Sequence, residues 1–370
     1  MRSPACDLFG IETPIFAFSH CRDVVVEASR AGGLGVLGTA HFSPEELERE
    51  LRWIDAHVEG RPYGLDLLMP SSYAKVDLAT EDTSRLIPEG HRAFMAEMLA
   101  RNGVPPLPEG MAEEIRKVTL RRFSVSPEQH EEELEIAFRH PFKLLVAALG
   151  RPNEKVVRRA REKGIRLASL VGTPEHALRQ KEAGVDLIVA QGTEAGGHTG
   201  AISTMVLTPQ IVDLVAPTPV LAAGGIATGR QMAAAMALGA AGVWCGSVWL
   251  TTKESDAPPE VKRRILAAQS KDAVITRSYS GKPSRVLKSG WTDAWSASGS
   301  PDPLQMPLQS LLTKEAMARV TRAGMDAMAS YPAGQVIGMM TSESTVRQVF
   351  QDMLTEFAEA MERMNALSAD

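Results

Sequence analysis

At 370 residues the chain is too long for one small domain and suits either a single (β/α)8 barrel carrying insertions or two domains. Hydrophobic residues at 44% and charged residues at 23% supply a sizeable core and exclude a disordered chain. Forty basic against 45 acidic residues give a net charge of −5, with no basic block to grip a phosphate backbone, which excludes nucleic acid as the main partner. No run of eighteen apolar residues is present, so no membrane span is expected. The opening MRSPACDLFGIETP has no secretory apolar region, and a cytoplasmic protein is predicted. Cys6, Cys21 and Cys245 form no CxxC, which argues against both a disulfide framework and a cysteine metal site.

In chain order, eight short apolar runs alternate with amphipathic helical patterns: Ile15–Phe18, Leu34–Leu37, Tyr63–Leu68, Lys143–Leu149, Arg166–Leu170, Asp186–Ala190, Pro219–Ala223 and Gly242–Cys245. Such alternation marks a parallel sheet wrapped by helices, and eight strands in that rhythm predict an α/β closed barrel. Gly33, Gly164, Gly184 and Gly239 each precede a strand, where a left-handed residue closing the previous helix is easiest for glycine. Two stretches break the rhythm. About seventy residues separate the third and fourth strands, far beyond an ordinary loop. They hold one candidate helix from Pro88 to Asn102 and another opened by Ser126-Pro127-Glu128-Gln129. This helical insertion, residues 70–142, leaves the end of the barrel where active sites sit, and a lid is one reading of it. The second break follows Leu250 and is polar to about Leu308. A C-terminal helical extension, residues 300–370, then ends in an apolar stripe at Val346, Phe350, Leu354, Phe357 and Met361. The whole chain is read as one domain.

Gly33-Leu34-Gly35-Val36-Leu37-Gly38 fits G-x-G-x-x-G, but a helix precedes it and the glycines flank the strand itself, so a dinucleotide fingerprint is declined. The seventh and eighth strands end in Gly224-Gly225 and Gly246-Ser247. At those exits a barrel holds phosphate: glycines let backbone N–H groups approach the oxygens, and Ser247 adds a hydroxyl. After the sixth strand comes Gln191-Gly192-Thr193-Glu194-Ala195-Gly196-Gly197-His198-Thr199-Gly200. Glycines this dense cost conformational entropy and are tolerated where backbone must pass something flat or bulky. Gln191 suits the edge of a heteroaromatic ring, and His198 can hold or pass a proton near neutrality. The eight histidines show no metal spacing, so no metal is expected.

The runs QGTEAGGHTG (191–200) and LAAGGIATGRQMAAAMALGAAGVWCGSVWLTTKES (221–255) resemble the nitronate monooxygenase (2-nitropropane dioxygenase-like) family. TPIFAF (13–18), AGGLGVLG (31–38) and YSGKPSRVL (279–287) stand in the same order, with a weaker Ala333-Gly334-Gln335 near the end. The resemblance implies an FMN-binding TIM barrel. It implies that Gly224, Gly225, Gly246 and Ser247 hold the FMN phosphate, that Gln191, Gly196 and Gly197 meet the ring or ribityl chain, and that Phe16, Ala17 and Phe18 wall the isoalloxazine. His198 is then the catalytic residue on the substrate side. Many relatives carry Gly-Val-Asn where this chain has Gly64-Leu65-Asp66. An ionised Asp66 only accepts, from ribityl hydroxyls or a flavin N–H, and its charge disfavours an anionic reduced flavin.

Two functions follow from the resemblance. One is a monooxygenase that oxidises alkyl nitronates or nitroalkanes with O2, with His198 binding the nitro oxygens or removing an α-proton. The other is an NAD(P)H-dependent FMN reductase acting on a quinone, an enoyl thioester or a cyclic enone. Both imply a small-molecule substrate, and a homodimer is compatible with either.

Overall fold

The computed structural model describes residues 2–40, 42–69, 86–123, 127–148 and 150–367. Its strands run β1 (Ile15–Ser19), β2 (Leu34–Gly38), β3 (Tyr63–Leu68), β4 (Leu144–Ala148), β5 (Arg166–Val171), β6 (Leu187–Gln191), β7 (Gly197–His198), β8 (Val220–Ala223), β9 (Gly242–Cys245), β10 (Ala273–Thr276) and β11 (Ser284–Leu287). Eight of them close a parallel barrel in the order β1-β2-β3-β4-β5-β6-β8-β9, so the eight apolar runs of the sequence are the eight barrel strands. The fold is a (β/α)8 TIM barrel.

Period-two alternation sorts each strand into a lumen face and a helix face. Phe16, Leu34, Val36, Leu144, Val146, Ala168, Leu187, Val189, Leu221, Ala223 and Trp244 fill the lumen as one cluster. Ala5, Cys6, Phe9 and Ile11, from the short helix Pro4–Phe9 and the turn after it, join that cluster and plug the N-terminal end. Phe9 meets Phe16 edge-on at 5.5 Å. With that end stopped, only the C-terminal mouth is open for a site, as barrels generally arrange it.

Helices Arg22–Arg30, Pro44–His57, Pro127–Ala137, Glu154–Glu162, Pro174–Glu182, Thr204–Val215, Gly229–Ala237 and Val346–Leu367 follow the eight barrel strands in turn. Val346–Leu367 packs against Gly229–Ala237 and Arg22–Arg30, and Pro127–Ala137 packs against Pro44–His57. The ranges 70–142 and 300–370 therefore each include one helix of the barrel's own ring. In the last helix Val346, Val349, Phe350 and Met353 are buried, whereas Met361 is exposed. The expected Ser126 cap lies outside the described residues.

The two inserted stretches meet each other. Met95, Met98, Leu99 and Val104 of the first cluster with Trp291, Trp295, Leu312 and Val320 of the second. The Arg319 guanidinium donates to the carbonyls of Pro105 at 2.9 Å and Val104 at 3.0 Å. Two strands of the polar stretch after Leu250, β10 and β11, join β7 from the loop after β6 in a three-stranded antiparallel sheet, β10-β11-β7, which the sequence reading did not anticipate.

The glycines of β2 are packing residues. A Cβ on Gly33 would stand 2.5 Å from the Ile15 carbonyl oxygen, and one on Gly38 2.6 Å from the His20 ring. Gly32 (φ +92°), not Gly33, takes the left-handed turn before the strand; Gly164, Gly184 and Gly239 do so as expected. The tightest site is Gly35, whose added Cβ would fall 2.0 Å from the Val25 carbonyl oxygen in the helix behind it. Gly35→Ala is expected to destabilise by about 3 kcal/mol, the upper range for overpacking a fixed core. Gly103→Ala, at φ +65° with open space around it, should cost about 1 kcal/mol. Denaturant midpoints of the two variants check this; equal losses would refute the packing account.

Candidate active site

The mouth is lined by inward-facing residues of five strands and by two strand exits. Phe18, Gly38, Asp66, Leu170 and Gln191 are supplied by β1, β2, β3, β5 and β6, and Gly224 and Gly246 lie just past the ends of β8 and β9. Phe18 stacks on Trp244 with centroids 5.7 Å apart and meets the His20 ring edge-on at 5.2 Å. His20 Nδ1 lies 2.7 Å from the Gly38 carbonyl oxygen, and burial lowers its pKa. Ala17 does not reach this ring. It is fully buried with Val24, Ala28, Val243 and Cys245 on the helix side, because neighbours on a strand face opposite ways. Phe16 also stays below, in the lumen core.

β8 and β9 are adjacent, with Ala223 opposite Trp244, so their two glycine exits lie side by side. Gly224 (φ +90°) and Gly225 (φ +73°) are consecutive left-handed residues, a conformation costly to anything with a Cβ. A Cβ on Gly224 would sit 3.0 Å from both the Ala195 nitrogen and the Gly192 oxygen. At Gly246 the nearest atom to such a Cβ is on the Phe18 ring, 3.8 Å away. Among the described residues, no acceptor takes a hydrogen bond from the backbone N–H of Gly225, Gly246 or Ser247. Ser247 Oγ accepts from the Gly334 amide at 2.7 Å, which leaves the hydroxyl hydrogen for a further acceptor.

The segment after β6 is fixed from three sides. Thr204 donates to Glu194 through its backbone N–H at 3.0 Å and its hydroxyl at 2.9 Å, so this carboxylate caps the helix Thr204–Val215. The Glu194 carbonyl accepts from Gln335 N–H at 2.9 Å, and Gly196 packs so closely on Ala333 and Gly334 that a Cβ would be 2.7 Å from their backbone. Gly197 and His198 pair with Arg285 and Ser284 of β11.

Gln191 Nε2 donates to the His198 carbonyl at 3.2 Å. His198 Nε2 lies 2.8 Å from Ser280 Oγ, and Ser280 Oγ also accepts from the Lys282 amide at 3.4 Å. Desolvation of the ring and then the Lys282 ammonium lower the pKa of His198, which keeps the imidazole neutral near pH 7.

Asp66 differs most from expectation. Its carboxyl faces the lumen, Oδ1 is buried with no partner, and burial pushes its pKa up to about 8. At neutral pH it is a neutral acid, not the ionised acceptor read from the sequence.

The arrangement offers free amides at two strand exits, an aromatic wall, a neutral acid and a neutral imidazole around one mouth. Sequence reasoning passed over Ser280, Arg285 and Glu194 as partners, although each stands in a string already singled out. Among the described residues no group of His, Cys, Asp and Glu could hold a metal ion, and no helix is long and apolar enough to cross a membrane.

A flavin-dependent oxidoreductase of the barrel class is what this fold and mouth define. The nitronate monooxygenase family profile matches residues 2–356, and the chain belongs to that family. It is 48% identical to a Mycobacterium tuberculosis protein named for monooxygenase activity, over 99% of both chains. The nitroalkane oxidase of Streptomyces ansochromogenes superposes with a TM-score of 0.77 at 26% identity, covering 97% of this chain and 99% of that one. FabK of Thermotoga maritima gives 0.74 at 26% identity over 99% of each.

Lys282→Ala removes a repelling charge from His198, so the imidazole midpoint should rise toward its ordinary value. Proton NMR titration of the ring reads this directly; a midpoint that stays put or falls would show that Lys282 does not act on it.

Proposed function

We propose that the chain is an FMN-dependent nitronate monooxygenase that oxidises alkyl nitronates or nitroalkanes with O2. The observation that carries the cofactor assignment is the pair of adjacent strand exits with unsatisfied amides at Gly225, Gly246 and Ser247. These residues are half-buried at the open mouth, so an anionic group entering there would meet several backbone donors that no protein acceptor holds. The consecutive left-handed glycines keep that approach free of side chains. Ser247, already oriented by Gly334, adds its hydroxyl. Gln191, Gly197, Phe18 and Asp66 would then face the ring, while Gly196 serves mainly to seat residues 333–335.

Bound FMN would supply an electron-accepting ring; the protein supplies placement and proton control. His198 Nε2 shares a hydrogen bond with Ser280 Oγ, and in the tautomer in which Nε2 is the donor the ring bares Nδ1. Among the described residues Nδ1 has no partner, and the depressed pKa keeps it unprotonated, so it can take the α-proton of a neutral nitroalkane. Phe18 and Trp244 exclude water from one side of the mouth.

His198→Ala should keep its flavin and lose roughly 100-fold or more in turnover of a neutral nitroalkane, the usual scale for a missing acid/base group. Undiminished turnover would remove the imidazole from the reaction. Gly225→Val puts a branched side chain at φ +73°, against Glu194, and should purify colourless; a fully yellow variant would move the phosphate elsewhere. Anaerobic mixing with NADH and then with a nitronate tests the reaction itself. Bleaching by the nitronate alone is expected, and rapid bleaching by NADH would favour the reductase reading instead.

A further inference from the structure

β3 stands opposite the phosphate-type exits. From β8 it is four strands away in either direction round the barrel, through β6, β5 and β4 or through β9, β1 and β2. A ligand with its anionic end at Gly224–Gly225 and its ring across the mouth would therefore bring the far edge of that ring toward Asp66. The backbone there is fixed: the Thr39 amide and hydroxyl both donate to the Asp66 carbonyl at 3.0 Å. The residue is only 8% exposed, and Oδ1 is buried and unsatisfied. Its ladder neighbours are Gly38 on β2 and Val146 on β4, neither of them ionisable. Of the titratable rings at this level, His20 and His198 are both shifted toward the neutral form, and no charged group contributes to the shift on Asp66, which burial alone produces.

We propose that Asp66 works as an uncharged acid, donating its hydroxyl hydrogen to an acceptor atom on the edge of the flavin ring across the mouth. The inference rests on the FMN reading above. A protonated carboxyl has one donor and one accepting carbonyl, the same pattern an amide presents to a ring edge. The carboxyl therefore replaces the amide of the related Gly-Val-Asn sequence without bringing a charge. A buried donor lacking a partner is unfavourable, and a ring acceptor would relieve it. Once ionised, the group loses the donor and repels that same acceptor. Flavin binding should then be coupled to a single proton.

FMN binding to the apoprotein, followed by flavin fluorescence from pH 6 to pH 9.5 for native protein and Asp66→Asn, reads that coupling. Native affinity should hold to about pH 7 and fall toward tenfold per pH unit above about 8, while Asp66→Asn binds FMN without that slope. The same slope in both, or in neither, overturns the proposal but leaves the FMN reading standing. If native protein binds no FMN at any pH, the FMN reading fails and the proposal with it. A second measurement needs no flavin: the native apoprotein should show a neutral-carboxyl infrared band at pH 7 that fades by pH 9.5 and that Asp66→Asn lacks, which separates it from Glu133, whose carboxyl burial raises to about 7. Its absence at pH 7 overturns the proposal.

Discussion

The pairing of Gly197–His198 with Ser284–Arg285 is the contact on which the mouth depends. A two-residue strand has no stability of its own, and glycine supplies no packing to hold it. What fixes it is the buried Arg285 side chain, which donates to the Thr193 carbonyl at 2.9 Å and to the Ala273 carbonyl at 2.5 Å. One guanidinium thus bridges the loop after β6 and the accessory sheet. Hydrogen bonds to a charged group contribute about 1.5–3 kcal/mol each, and losing this cation would leave two carbonyls unpaired. Burial lowers the Arg285 pKa and the Glu194 carboxylate raises it, so the cation is set against an acid anchored in the same loop.

That bridge explains why the long stretch between β9 and its helix is tied to chemistry. It carries Ser280 to His198 and, through residues 333–335, seats Gly334 against Ser247 and Gln335 against Glu194. Trp291 and Gln309 hold the strand-to-strand turn from behind, donating to the hydroxyl and the carbonyl of Ser278 at 3.0 and 2.7 Å. The helices around Trp291 pack in turn on Met95 and Leu99 of the first insertion. A change in either insertion can therefore reach the imidazole through a chain of packed and hydrogen-bonded groups, without touching the mouth.

The barrel was legible because its strands are largely apolar on both faces, lumen and helix side alike, so the runs stand out by composition even where β3 carries Asp66. The accessory strands were not. β10 exposes Ile275, β11 places Arg285 in its middle, and β7 is Gly-His, so none shows a long apolar run. A closer look at Ala273-Val274-Ile275-Thr276 and Arg285-Val286-Leu287, separated by the turn around Gly281, contained the hairpin signal. The glycine-wrapped histidine could be singled out from its own neighbours, and the paired glycine exits from their spacing. Ser280 and Arg285 could not be assigned as partners, because they contact residues 82 and 92 positions away. Ala17 was misplaced by treating a strand triplet as one wall, when alternation turns its methyl outward.

Two carboxylates near the mouth show why residue type alone does not give charge. Glu194 receives two hydrogen bonds from Thr204 at a helix N-terminus and ties the loop after β6 to that helix. Asp66 lies among apolar neighbours with no donor to its Oδ1, and burial there favours the neutral form. The same functional group thus anchors a loop on one side of the mouth and lies unpartnered on the other. An ionised Asp66 would face the lumen uncompensated. Placing the unpartnered acid on the strand opposite β8 sets it across the mouth from the open amides of Gly225, Gly246 and Ser247 and leaves donors at both ends. That is the polarity a ligand with an anionic tail and an acceptor-edged ring requires.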